Sequence, residues 1–380
     1  MNYINQSALL KTKKILRYLK LYGLKRTWIK VQGQFHLQKK FQETPGPFSE
    51  LNKDHKVAIV GCGNFAFTTI AYYLKKNFGN VIGAVMDVNI NRAASLAQKY
   101  KVPIFTNDFE DILELKQLEL VFIASDHASH AEYAIKAMKK GKNVYIEKPH
   151  VVNEKQLIKL LNQMGSSKSK VFLGFNRPAS RLGKLIFRYL NKQEGAGIYN
   201  WFVVGHKLNK DHWYLKPEQG SRVLGNLCHW TDFLLHLIPQ GKLFPIEINP
   251  TRGERNDVDI AVSFKFNDGS IGIITFSEKG ETFEGVREKF HAQKGECILS
   301  LDDFQRLEVD LGPRKIKYKL FYRDQGHEAN IINAYRTVFN DKNYDFPSQY
   351  EYIYRSALLF LKTDEALRLN KKIIVNGDGN

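Results

Sequence analysis

The run Gly61-Cys62-Gly63-Asn64-Phe65-Ala66 directly follows the short apolar segment Val57-Ala58-Ile59-Val60 and opens a helical stretch. In a G-x-G-x-x-A turn the first glycine permits the tight bend, the second lets a pyrophosphate approach the backbone, and the small sixth residue lets the helix pack on its strand. The helix N-terminus then stabilises phosphate charge. Asp87 ends a second apolar segment, 24 positions after Gly63. A carboxylate there accepts hydrogen bonds from ribose hydroxyls and repels a 2′-phosphate, which favours NAD; Arg92, close by, can pair with a 2′-phosphate and keeps NADP open. Proton chemistry has two sources. Lys148 follows an apolar strand at the end where open α/β sheets bind ligands. His229 and Asp232 stand three positions apart on a predicted helix and so share a face.

These residues need a frame to hold them. Apolar segments at 57–60, 81–86, 120–124 and 143–146 alternate with helical stretches at 92–100 and 129–140. That alternation implies right-handed βαβ units and a parallel sheet. A helix near Glu154–Met164 and a strand over Lys170–Gly174 follow, and a second domain begins near Asn176. Strands are predicted around Ile198–Val204, Ile260–Phe266, Ser270–Ser277, Arg287–Ala292 and Glu296–Leu301, with Asn267-Asp268-Gly269 as a hairpin turn. Helices over Arg181–Leu190 and Leu227–Leu237 are expected to cover one face, and two more lie near Glu328–Phe339 and Gln349–Leu369. The fold class is therefore α/β: an N-terminal Rossmann domain (55–175) and a C-terminal α/β domain (176–380) with a large, mainly antiparallel sheet.

The stretch Ile123-Ala124-Ser125-Asp126-His127-Ala128-Ser129-His130-Ala131, followed by Gly141-Lys142-Asn143-Val144-Tyr145-Ile146-Glu147-Lys148-Pro149, resembles the Gfo/Idh/MocA family. That family includes glucose–fructose oxidoreductase and inositol dehydrogenases, and it places an E-K-P signature after a Rossmann strand. The likeness runs over about 55–376 and includes Gly174-Phe175-Asn176-Arg177, Cys228-His229-Trp230-Thr231-Asp232 and Leu301–Glu308. The second-domain run also resembles oxidoreductases from bacterial surface-polysaccharide clusters. The resemblance implies hydride transfer between nicotinamide and a ring carbon of a sugar or nucleotide sugar, with a role in polysaccharide assembly. Lys148 is then the principal acid/base, because burial and a cationic nicotinamide ring lower an amine's pKa, and Pro149, in a peptide often cis in the family, restrains its backbone.

The cofactor set implied comprises Gly61, Gly63, Asn64, Phe65, Asp87, Arg92, Ser125, His127, His130, Glu147 and Lys148. Arg177, Asn226, His229 and Asp232 join Lys148 toward substrate, with His229 assisting proton transfer. His206, His212, Trp213 and Tyr214 are further candidates for the cavity wall. The family pattern is D-x-x-x-H-x-x-D, whereas Gly225 stands at its first position here, so the full relay is in doubt and Asn226 can orient but not act as a base. Two other readings stay open: an NAD-dependent glycosidase whose oxidation is transient, and a cofactor-binding regulator without catalysis. His127 and His130 have no third ligand near them, and no metal site is expected.

Cys62, Cys228 and Cys297 are far apart and form no CxxC pair, which fits a reducing cytosol. The net charge is +18, and residues 1–42 carry ten Lys/Arg and no acid, leaving +8 (18 − 10) for the rest. That first segment reads as a basic, apolar-periodic extension, joined through a linker at 43–54. It suits either docking on the body or a second subunit, or peripheral contact with an anionic membrane surface. A homo-oligomer is expected; no nucleic-acid-reading motif is present.

Overall fold

The computed structural model describes residues 7–43, 45–206, 208, 212–252, 259–280, 285–340 and 343–377. Two helices, α1 (Ala8–Tyr22) and α2 (Leu24–His36), precede the first sheet. That sheet holds β1 (Val57–Val60), β2 (Ile82–Met86), β3 (Ile104–Thr106), β4 (Leu120–Ile123), β5 (Asn143–Ile146) and β6 (Val171–Leu173). Its order is β3-β2-β1-β4-β5-β6, all parallel. Strands β1, β2 and β4 are buried along their whole length, as helices on both faces require. Those helices are α3 (Ala71–Phe78), α4 (Ile90–Tyr100), α5 (Phe109–Glu114), α6 (His130–Lys139) and α7 (Glu154–Gly165).

After α8 (Arg181–Leu190) come β7 (Gly197–His206), α9 (Cys228–Leu235), β8 (Ile246–Arg252), β9 (Asp259–Lys265), β10 (Ile271–Gly280), β11 (Arg287–Lys294), β12 (Cys297–Asp302), β13 (Arg306–Leu311) and β14 (Arg314–Lys319). The chain ends in α10 (His327–Phe339), α11 (Phe346–Leu369) and β15 (Ile373–Val375). The second sheet runs β14-β13-β12-β11-β7-β10-β9-β8-β15, with only the β7–β10 pair parallel. The hairpin at Asn267-Asp268-Gly269 forms as its residues require: Gly269 takes a φ of +86° and its N–H donates to the Phe266 carbonyl. Strands β3, β8, β13, β14 and β15 are additions to the sequence-based expectation. Strand β14 is an edge of alternating lysines whose exposed residues leave no apolar signature, a common guard for an open edge.

Helix α11 spans the two halves. Ile353, Ala357 and Phe360 join the core under the parallel sheet, while Leu359, Ala366 and Leu367 join the core of the nine-stranded one. The N-terminal helices dock on the body of the chain rather than standing apart. The Arg26 guanidinium donates to the Thr68 carbonyl and the Thr69 hydroxyl and lies over the rings of Tyr72 and Tyr73. The Arg323 N–H donates to the Leu21 carbonyl at 2.8 Å, and its guanidinium meets the Tyr22 hydroxyl at 3.1 Å. The pair of helices thus bridges the first helix of the parallel-sheet domain and the second domain.

Candidate active site

The glycine loop leaves β1 with Gly61 at φ +85°; a Cβ there would stand 2.4 Å from the Ser125 backbone nitrogen, so the turn tolerates no side chain. A Cβ on Gly63 meets nothing within 4 Å. That open space lies at the N-terminus of the helix beginning at Asn64, whose first N–H groups have no intrahelical partner, and it fits a pyrophosphate. The helix then widens into a π-helical turn over Ala66–Ile70, a distortion frequent at functional sites. Asp87, 6% exposed, accepts from the Cys62 N–H (2.7 Å) and the Asn89 N–H (2.8 Å), one on each oxygen. Each oxygen retains a lone pair for a ribose hydroxyl. The Arg92 Nε is buried without a partner among the described residues. His36 of α2 closes this end: its Nε2 lies 2.7 Å from the Cys62 carbonyl, its Nδ1 2.9 Å from the Ser95 hydroxyl, and its ring stacks on Phe67.

Lys148 stands in a cis Lys148-Pro149 peptide at the C-terminal end of β5. Its ammonium donates to the Gly225 carbonyl at 2.8 Å. That carbonyl belongs to a second π-helical turn, Val223–Leu227, ahead of α9. Burial lowers the Lys148 pKa, and the Arg177 and Arg222 charges add to the effect. Beneath it the Glu147 carboxyl accepts from the Tyr145 hydroxyl (3.2 Å) and is pushed up to about 7 by burial. It is therefore largely protonated below neutral pH and orients the turn from inside rather than facing the cavity.

Gly225 explains itself in three dimensions. A Cβ at this position would land 2.1 Å from the Tyr214 hydroxyl. The phenol thus occupies the space into which a side chain at position 225 would project, and it donates to the Asn226 side-chain carbonyl at 3.1 Å. Tyr214 packs edge-on against His127 at 4.7 Å, and Trp213 does so at 5.1 Å. Lys148, Tyr214, Asn226, Asn64 and Phe65 line one cavity of about 650 Å³. His327, which no motif singles out, is also there, edge-on to Phe65 at 5.3 Å.

Other residues stand behind this wall. His130 is buried, with Nδ1 2.8 Å from the Pro149 carbonyl and Nε2 3.2 Å from the Ser125 carbonyl, so it clamps the two loop ends together. His127 Nδ1 lies 3.1 Å from the Gln219 carbonyl, and the Ser125 hydroxyl pairs with that of Ser129. Arg177 is held in a buried ion pair with Glu288 (2.9 Å), which also accepts from the Trp230 indole. His229 is buried beside Phe175; its Nδ1 has no partner among the described residues, and desolvation with the Arg177 and Lys148 charges holds it neutral. Asp232 turns away, accepting from the Tyr352 hydroxyl of α11 at 2.6 Å. The described part of His206 is its backbone only; the side chain lies outside it. His212 and Trp213 border the cavity.

Residues 55–175 match the oxidoreductase family GFO_IDH_MocA, NAD-binding Rossmann fold. The chain carries the NAD-binding domain of the Gfo/Idh/MocA oxidoreductases. An oxidoreductase of Formosa agariphila is 32% identical over 119 residues, covering 31% of this chain and 37% of that protein, so the match spans little more than a third of that relative. Myo-inositol 2-dehydrogenase of Thermotoga maritima is 22% identical over 310 residues, covering 77% of this chain and 90% of its own. Among solved structures, levoglucosan dehydrogenase in complex with NADH and levoglucosan superposes with a TM-score of 0.68 at 17% identity, covering 84% of this chain and 98% of that one. At that identity the likeness speaks for the two-domain fold of the chain.

Restoring the family's carboxylate is a direct test of the Tyr214 substitution. Gly225→Asp alone should cost about 1–3 kcal/mol through overpacking, seen in urea melts, and Tyr214→Gly in the same chain should recover most of it. Additive losses in the double variant would show that the two side chains do not compete for one space.

Proposed function

We propose that this protein is an NAD(P)-dependent dehydrogenase that moves a hydride between nicotinamide and a ring carbon of a sugar or nucleotide-linked sugar. The observation that carries the reading is Lys148, held on the Gly225 carbonyl and facing the same cavity as the glycine-loop residues Asn64 and Phe65. The dinucleotide supplies the hydride acceptor or donor. Lys148 takes the proton from the hydroxyl of the reacting carbon, or returns it in the reverse direction. Its desolvation makes the neutral amine accessible below the ordinary lysine range. Asn226 and Tyr214 orient neighbouring hydroxyls, and Trp213 offers an apolar face to a sugar's C–H surface. His229 is close enough to Lys148 to feel its charge and holds a ring nitrogen available for a ligand.

Turnover in the oxidative direction should rise with pH up to the lowered Lys148 pKa and then level off, because the proton acceptor is the neutral amine. Lys148→Met should lower kcat by about 10²–10⁴-fold and abolish that rise while NADH affinity, read by fluorescence, stays the same. Undiminished turnover would remove Lys148 from the chemistry. Reduced dinucleotide that accumulates one-for-one with product distinguishes the dehydrogenase from a glycosidase, in which the oxidation is reversed within each cycle.

Two associations are part of the proposal. Ile198, Phe202, Ile271 and Ile298 on the nine-stranded sheet are 40–56% exposed, which favours pairing of this face with a second copy. Sedimentation should give a mass above one chain, and a monomer at micromolar concentration would exclude it. The outer faces of α1 and α2 expose Leu9, Leu16, Leu24 and Trp28 among lysines, which favours peripheral contact with an anionic bilayer. No helix among the described residues is long and apolar enough to cross a membrane. The protein should pellet with phosphatidylserine vesicles and be released by Trp28→Glu with Leu24→Glu; equal pelleting with neutral vesicles would refute the electrostatic part of the contact.

A further inference from the structure

An amphipathic helix that docks on its own protein normally turns its apolar side inward. Helices α1 and α2 bury Leu21 and Ile29 against the body, but over the active-site cavity they turn a row of cations and phenols inward beside Ile15 and Val31. Lys14, Tyr18 and Tyr22 follow one another at four-residue spacing on α1, as do Arg26, Lys30 and Gln34 on α2, and all six line the cavity. The apolar residues Leu9, Leu16, Leu24 and Trp28 face outward. With Lys148, Arg222 and Arg323 from the body, six cationic side chains surround the space, and Asp324 is the single carboxylate among the described residues of its lining.

Two of those cations are compensated from behind, Arg222 by Glu278 and Arg323 by Asp303. Arg26 is satisfied by neutral oxygens. Lys30 makes no ion pair among the described residues; its ammonium lies 4.7 Å from the centre of the Tyr22 ring and 6.0 Å from that of Tyr18. Lys30 is half-buried and lines the cavity, and desolvation together with the Arg26 and Arg323 charges brings its pKa down to about 7. An unfolded lysine keeps its proton to about 10.4. Between these values the unfolded chain binds more protons, so Lys30 makes stability rise with pH across that window, and the fold carries the full penalty below it. A docking interface has no use for such a group, whereas an anion in the cavity would neutralise it.

We propose that α1 and α2 complete the substrate cleft with an anion subsite, centred on Lys30 and flanked by Arg26 and Arg323, that takes the phosphoryl group of a phosphorylated or nucleotide-linked sugar whose ring lies against Lys148. The inference rests on the dehydrogenase reading for the placement of the ring, but the subsite stands on its own geometry. Tyr18 and Tyr22 add flat faces beside the phosphoryl position, suited to a nucleobase or to the sugar itself.

The test is calorimetric titration of the full chain, with and without saturating NADH, using inorganic pyrophosphate, glucose 6-phosphate, UDP-glucose and glucose as probes. Phosphorylated probes should bind and glucose should bind far more weakly. Lys30→Met should weaken the phosphorylated probes about tenfold or more, leave NADH affinity within about twofold, and melt no lower than the parent, which shows that it folds. Lys30→Arg should restore most of the binding. At pH 8, binding to the parent should take up close to one proton, read from heats in buffers of different ionisation enthalpy, and binding to Lys30→Met should take up none. UDP-glucose tighter than glucose 6-phosphate identifies a nucleotide-linked substrate, and the opposite order a sugar phosphate. Equal affinity for phosphorylated and unphosphorylated probes overturns the subsite. An equal loss of NADH affinity in Lys30→Met also overturns it, assigning the cations to the dinucleotide. Should the subsite fail in this way while Lys148→Met still abolishes turnover, the dehydrogenase reading survives; should phosphorylated probes bind to a chain that transfers no hydride, the subsite survives and that reading falls.

Discussion

The architecture is arranged around one contact, the ammonium of Lys148 on the carbonyl of Gly225. It ties the C-terminal end of the parallel sheet to the π-helical turn ahead of α9 in the second domain, so the relative placement of the two halves and the aim of the amine are set together. A buried ammonium costs much less when it donates to a strong acceptor. A single neutral carbonyl does this without the full ion pair that would pin the charge and remove the amine from proton transfer. The low dielectric around the group then lowers its pKa, and the Glu147 carboxyl below, itself raised by burial, opposes that shift without cancelling it.

One partner of the contact, the Gly225 carbonyl, comes from an irregular helix, and the glycine loop opens onto another. The π-helical turn at Ala66–Ile70 follows the glycine loop, and that at Val223–Leu227 carries Gly225 and Asn226. In each, an extra residue per turn leaves backbone groups displaced from the regular ladder. Here that releases the Gly225 carbonyl toward Lys148 and makes room for the Tyr214 ring. The phenol fills the space over Gly225 with a neutral hydroxyl, whose pKa burial drives upward.

Much of this was legible in the chain. The glycine loop, the acid at 87 and the E-K-P run sit on a strand–turn–helix pattern with strong local signals, and α8 begins and ends where its periodicity requires. The charged edge strand β14 was not read from the chain, because Ile316 and Tyr318, which pack half-buried against the core, are two apolar residues among four cations and make a weak alternation. His229 and Asp232 share a helical face by count, yet one sits beside Lys148 and the other under α11; tertiary neighbours, not spacing, separate them. Gly225 read as a loss because Tyr214 is eleven positions away in sequence and its contact is set by the fold. In the extension, leucines were the visible pattern, and the informative one was the four-residue spacing of Lys14, Tyr18, Tyr22 and of Arg26, Lys30, Gln34.

Helix α11 has a mechanical meaning. One continuous rod is cemented through Ile353, Ala357 and Phe360 into one hydrophobic core and through Leu359, Ala366 and Leu367 into the other. Neither core can lose its packing without dislodging side chains from the rod that also stabilises its neighbour, so the halves are thermodynamically coupled and form a single cooperative unit.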